Sequence, residues 1–178
     1  WNLYFINTRR IGAIPDKCSP TNETLKGECN NSLIDSSDID LALRYTQKSQ
    51  KNEFGFFSAF EANSLYSSGR DYFAGRYRRN ISELKGSVGY MLTAVDRPSI
   101  SREAYVHTID FDFKPSKPSR VYGWLSQSNI KNGPNDIDGT GARVVVTRGF
   151  SDQLFVLGAL NYLDEDFDIN DMGYMEEN

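Results

Sequence analysis

Histidine occurs once in the 178 residues, at His107, and cysteine only twice, at Cys18 and Cys29. A zinc centre built from four His and Cys ligands is therefore excluded. Also missing are a Gly-x-Ser-x-Gly elbow, a His-Glu-x-x-His pair and a phosphate-cradling glycine loop, which removes the common hydrolase, metalloprotease and nucleotide-binding readings. No enzymatic activity and no cofactor are expected. The longest apolar stretch, Leu154 to Leu160, is far too short for a membrane-spanning helix. A net charge of −4 shows none of the basic excess of nucleic-acid binders, so no nucleic acid is expected among the partners. The chain opens without a methionine, on Trp1-Asn2-Leu3-Tyr4-Phe5, which already reads as a strand. We expect a piece excised from a longer precursor.

Aromatic residues are abundant at 13%, a share that favours strands and is too high for a disordered segment. Their arrangement carries more than their number. Tyr105, His107, Ile109, Phe111 and Phe113 alternate with Ala104, Val106, Thr108, Asp110 and Asp112. Successive strand side chains point to opposite faces, so one face is apolar and the other polar. The same period runs through Ile39–Tyr45, Phe54–Phe60, Phe73–Tyr77 and Leu84–Leu92. Shorter runs follow at Val121–Ser126, Arg143–Arg148 and Gln153–Tyr162. Turn chemistry separates them at Ser67-Ser68-Gly69, Asp96-Arg97-Pro98-Ser99, Pro115 to Pro118 and Asn132-Gly133-Pro134-Asn135. No stretch keeps helical periodicity over a dozen residues. The expected fold is one all-β domain over 1–178, an antiparallel meander of about eight long strands.

Such a meander fits a membrane barrel or a soluble sandwich, since both alternate. Runs near ten residues exceed the usual globular strand and match a tilted membrane-crossing one. The polar face carries charges of both signs: Arg44, Glu53, Glu61, Arg76, Arg78, Lys85, Asp110, Asp112 and Arg143. Opposite charges on neighbouring strands can pair across a hydrated lumen. The run Leu154–Leu160, apolar on both faces, suits a soluble core or a filled lumen instead.

Four segments resemble one family in their order along the chain: Arg9-Arg10-Ile11-Gly12, Tyr72-Phe73-Ala74-Gly75-Arg76-Tyr77-Arg78-Arg79, Val95-Asp96-Arg97-Pro98 and Asp166-Phe167-Asp168-Ile169-Asn170-Asp171-Met172-Gly173. They look like the C-terminal region of the bacterial domain of unknown function 5916 family. Its members typically carry an N-terminal module similar to family 9 carbohydrate-binding domains, followed by a predicted outer-membrane β-barrel. The resemblance implies a bacterial outer-membrane location, lipid as a partner, and glycan-related uptake or binding. A soluble carbohydrate-binding β-domain and a polysaccharide-active enzyme stand as alternatives.

The candidate lumen- or ligand-facing residues are Arg44, Arg76, Arg78, Asp110, Asp112 and Trp124. Tyr66, Tyr72 and Tyr122 join Trp124 as aromatic platforms for a sugar. Asp110 and Asp112 share a face like a glycosidase pair, an arrangement that any strand with two alternating acids produces. Calcium has two candidate positions. Asp136 and Asp138 beside Gly139 are expected in an acid-rich loop. Asp166, Asp168, Asn170 and Glu177 fall at EF-hand-like offsets, although Asp171 stands where the turn needs glycine. Cys18 and Cys29 lie in the polar stretch 16–37 and are expected to close a small disulfide ring in an oxidising compartment.

Overall fold

The computed structural model describes residues 3–16, 36–64, 67–150 and 154–175. Eight strands form one antiparallel meander in which every strand pairs with its neighbour in sequence. They are β2 (Ile39–Lys48), β3 (Asn52–Glu61), β4 (Asp71–Ile81), β5 (Gly86–Arg97), β6 (Arg102–Ser116), β7 (Ser119–Asn132), β8 (Asn135–Gly149) and β9 (Phe155–Leu163). A separate two-residue pair joins β1 (Leu3–Tyr4) to β10 (Tyr174–Met175). The all-β meander is thus as the alternation predicts. Among the described residues β2 and β9 do not pair with each other, so the sheet has two free edges. No helix among them is long and apolar enough to cross a membrane, which says nothing of strands.

Several strands run longer than their sequence pattern. Pro115 lies within β6, where the register shifts between Phe113 and Ser116; the irregular end tolerates a residue without an N–H. β7 continues past Ser126 to Asn132 and β8 starts at Asn135, joined by a two-residue turn with Gly133 at φ +60. Asp136 and Asp138 therefore sit on a strand and not in a loop. Ile39 also departs from expectation. A bulge between Ile39 and Leu41 places it opposite Glu61, with its side chain near Gly12 and away from the face of Leu41, Leu43 and Tyr45.

The leading segment (3–16) and the closing segment (164–175) both lie on one face of the sheet, here called the inner face. Met172 packs there into a cluster with Ala59, Tyr72, Ala74 and Val95. Phe167 and Ile169 form a second cluster with Val106, joined by Phe5, Trp124 and Leu163. The backbone of the closing segment approaches the sheet closely at Gly139, where an added Cβ would stand 2.3 Å from the Phe167 backbone. Only glycine leaves that space. Polar strand residues under the segments are satisfied: the Thr108 and Ser126 hydroxyls lie 2.8 Å apart, and Ser128 Oγ accepts the Asp168 N–H at 3.2 Å.

Among the described residues nothing covers the outer face. Leu43 is 48% exposed, Ile109 49% and Leu125 53%, whereas inner-face Thr108, Ser126 and Ser128 are 2%, 1% and 0% exposed. Large apolar side chains of the outer face thus stay exposed, while inner-face residues, polar and apolar alike, are buried under the two segments. The outer apolar residues also do not form a level band. A row followed straight across the ladders from Leu43 passes Phe73, Ala94 and Tyr105 but ends on Asn129 and Asp138. On β8 the outer apolar run is Ala142, Val144 and Val146, centred six residues beyond Asp138 after six strand-to-strand steps. One residue per strand is about 20 Å of rise across about 29 Å of sheet, a line inclined about 35° to the ladder rows.

Candidate functional site

The inner face divides into a covered half and an open half. In the covered half, the connections β3–β4 (62–70) and β5–β6 (98–101) bring three arginines to one end of the sheet. Arg70 grips the buried Glu61 with Nε donating to Oε2 at 2.7 Å and Nη2 to Oε1 at 3.0 Å, and Nη2 also donates to the Ala13 carbonyl at 2.9 Å. Arg97 donates to both oxygens of Asp16, at 2.8 and 2.6 Å, and reaches Asp171 with Nη1. Arg102 donates through Nε and Nη2 to Asp171, the closest contact being 2.7 Å, and through Nη2 to Asp168 at 2.9 Å. Further bonds tie the leading segment down: the Gly12 N–H donates to Glu61 Oε1 at 2.8 Å and the Tyr72 hydroxyl to the Arg10 carbonyl at 3.2 Å.

This network sets a pH response. Burial alone would raise the Asp171 carboxyl, but hydrogen bonds and charge from Arg102 and Arg97 outweigh it and hold the group below its ordinary 3.8. Asp16 is likewise lowered, its burial outweighed by Arg97 and Arg70. A carboxyl whose folded value lies below its unfolded one stabilises the folded state above the unfolded value, and the contribution is lost as pH falls through the folded one. The melting temperature and the protease resistance of 164–175 should stay level from neutral pH to about 5, then fall below about 4. A flat profile to pH 3 would show that the segments are held by packing alone.

The open half carries the other charges. Arg76 Nη2 lies 2.9 Å from Oδ1 and 2.8 Å from Oδ2 of Asp110. Asp110 fits because Gly89 stands opposite: a Cβ there would meet Asp110 Oδ2 at 2.5 Å. Asp112 accepts from Arg120 Nε and Nη2 at 2.8 and 2.7 Å, and that guanidinium also lies 4.6 Å from the Tyr122 ring centre. Lys48 pairs with Glu53 at 2.8 Å. Arg78 turns both Nε and Nη2 to the Ser87 hydroxyl at 2.9 and 2.6 Å. Arg44, Arg78 and Arg143 have no carboxylate within salt-bridge distance among the described residues. Two adjoining clefts of about 440 and 360 Å³ share Thr46, Gly55 and Arg76, and Arg44 and Phe57 line the larger.

The structure thus brings Arg44, Arg76, Arg78, Asp110 and Asp112 onto one half of one face. Trp124 is not among them. It is held between Phe5, edge-on with centroids 5.4 Å apart, and Phe167, stacked at 6.3 Å. Its ring anchors the two segments and offers no bare platform; Tyr72, 2% exposed, is covered in the same way. Each acid of the glycosidase-like pair is already engaged by an arginine, Asp110 by Arg76 and Asp112 by Arg120. Asp136 faces Lys131 in register, Asp138 accepts from Asn129 Nδ2 at 2.6 Å, and both are exposed on β8. Among the described residues no three His, Cys, Asp or Glu side chains gather as metal ligands. Asp168 of the second calcium candidate instead binds Arg102, as does Asp171, the residue in the place of the turn glycine. Cys18, Cys29, Tyr66 and Glu177 lie outside the described residues. His107 sits on the outer face with Nδ1 2.8 Å from the Tyr90 hydroxyl.

Sequence reasoning missed the partners that give these residues their setting: Arg97, read only as part of a turn and of a family-like segment, and Arg102 and Arg120. Asp16 and Arg97 are 81 positions apart, and no local spacing couples them. Comparison of the chain with protein-family models, curated proteins and solved structures returns no match.

Proposed function

We propose that this chain is part of a bacterial outer-membrane β-barrel whose lumen is filled at one end by the leading and closing segments. The observation that carries the reading is the inclined apolar band on the outer face. A flat slab of lipid crossing tilted strands meets each successive strand about one residue further along, and barrel strands tilt by about 35–45°. The band's inclination of about 35° falls at that value. Strand lengths of 9–15 residues reach or exceed the roughly 9–11 needed to span a bilayer at such a tilt. The inner face, with paired and unpaired charges, is then the hydrated side. The resemblance to the domain of unknown function 5916 family supports the same location and suggests a glycan as the cargo or bound ligand. A soluble carbohydrate-binding domain fits less well, because two of its aromatic platforms are occupied by the chain's own segments.

Two properties of the full-length protein test this. It should sediment with membranes until detergent is added, and its unboiled form should migrate differently on a gel from the boiled form. Quantitative recovery in the soluble fraction without detergent would refute the barrel.

A further inference from the structure

We infer that the open end of the inner face binds an oxyanion, specifically a phosphate group, carried either on a soluble ligand or on a lipid headgroup. A cleft of about 250 Å³ opens there, walled by Arg78, Ser82, Lys85, Ser87, Asp112 and Lys114. Three of these side chains are cations and one is an acid. The acid is already taken, since both Asp112 oxygens accept from Arg120. Arg78 turns two of its N–H groups to a single neutral hydroxyl, that of Ser87, and forms no salt bridge among the described residues. Neither Lys85 nor Lys114 has a carboxylate within salt-bridge distance among the described residues.

The geometry of the cleft is built and not incidental. The Lys114 N–H donates to the Lys85 carbonyl at 3.1 Å, which ties the β4–β5 turn to the end of β6 and sets the two lysines side by side. Lys85 holds φ +49, a left-handed conformation that a residue with a Cβ seldom takes. Strain of that kind collects where a side chain is needed in place. The cleft thus concentrates three positive charges in a chain whose net charge is −4. An arginine flanked by two lysines and serine hydroxyls is a donor set matched to the oxygens of a phosphate.

Calorimetric titration of the full-length protein with inorganic pyrophosphate, in a maltoside detergent and at constant ionic strength set by chloride, tests it. Saturable binding is expected. Arg78→Gln and Lys114→Gln should each weaken it roughly tenfold or more, the loss of one charge-assisted contact. Lys85→Gly should weaken it similarly while keeping the fold, because glycine takes that backbone conformation freely. A second arm places the protein in nanodiscs with or without a phosphorylated glycolipid. A rise in melting temperature that needs the glycolipid and is lost in Arg78→Gln assigns the phosphate to a headgroup; binding confined to pyrophosphate assigns it to a soluble ligand. The inference is overturned by the absence of saturable binding in both arms, or by unchanged affinity in all three variants.

Discussion

Replacing Asp171 with alanine is expected to detach the closing segment and cost about 3–5 kcal/mol of stability. The Asp171 side chain is 4% exposed and accepts from both Arg97 and Arg102, themselves only 21% and 15% exposed. Removing the carboxylate leaves two guanidinium groups facing each other in a site largely closed to water, with Asp16 and Asp168 as their remaining anions. The loss is therefore that of breaking a buried pair, not that of a surface ion pair, which contributes about 0–1 kcal/mol. Asp168→Ala is the matched comparison. Its side chain is 35% exposed, and Arg102 keeps Asp171 when it is gone, so the change should stay within about 1 kcal/mol. Limited proteolysis should cut 164–175 early in Asp171→Ala and late in Asp168→Ala, with the melting temperatures in the same order. Equal behaviour of the two variants would mean that Met172, Ile169 and Phe167 hold the segment without help from charge.

Ile109→Arg carries the second large expectation. Ile109 lies at the middle of the outer apolar run of β6, between Tyr105 and Phe113, and is 49% exposed. In a lipid-facing position near the bilayer midplane, arginine costs about 2–4 kcal/mol, falling to about 0–1 near the interface. On a water-bathed sheet an exposed substitution stays within about 0.5 kcal/mol. Gln127→Arg on β7 supplies the control, because the inclined band has already left that level and the position should tolerate charge. Urea unfolding in lipid vesicles reads both. A loss for Ile109→Arg no larger than that for Gln127→Arg would contradict a lipid-facing outer surface.

Much of the sheet was legible because its signal is local. Side-chain alternation needs only a few consecutive residues, and it gave the facing of Phe54, Phe73, Tyr77, Tyr105, Ile109 and their inward neighbours correctly. It faded where strands leave the apolar band. On β7, Gln127, Asn129 and Lys131 face outward beyond the band while Ser126 and Ser128 face inward under the closing segment. Polar residues on both sides read as the end of a strand although the ladder continues to Asn132. The same effect turned Asp136 and Asp138 into an apparent loop. The charged residues of the open half could be placed by face from the sequence, but not their pairing, because cross-strand partners depend on register. The covered half was illegible for a stronger reason. An acid-rich stretch such as Asp166–Asp171 has the same composition whether it binds a cation, faces water or meets arginines from distant hairpin ends. Only the chain path separates those outcomes.

The two segments on the inner face also set a lower limit on girth. A ring of eight strands encloses an interior that side chains alone just fill. Here the same face receives main chain as well: Phe167 lies against Gly139 with no room for a Cβ, and the Asn7 N–H donates to the Met172 carbonyl at 2.6 Å, so both segments occupy the space together. If the sheet closes around them, β2 cannot simply meet β9. In such a barrel the circumference is wider than eight strands.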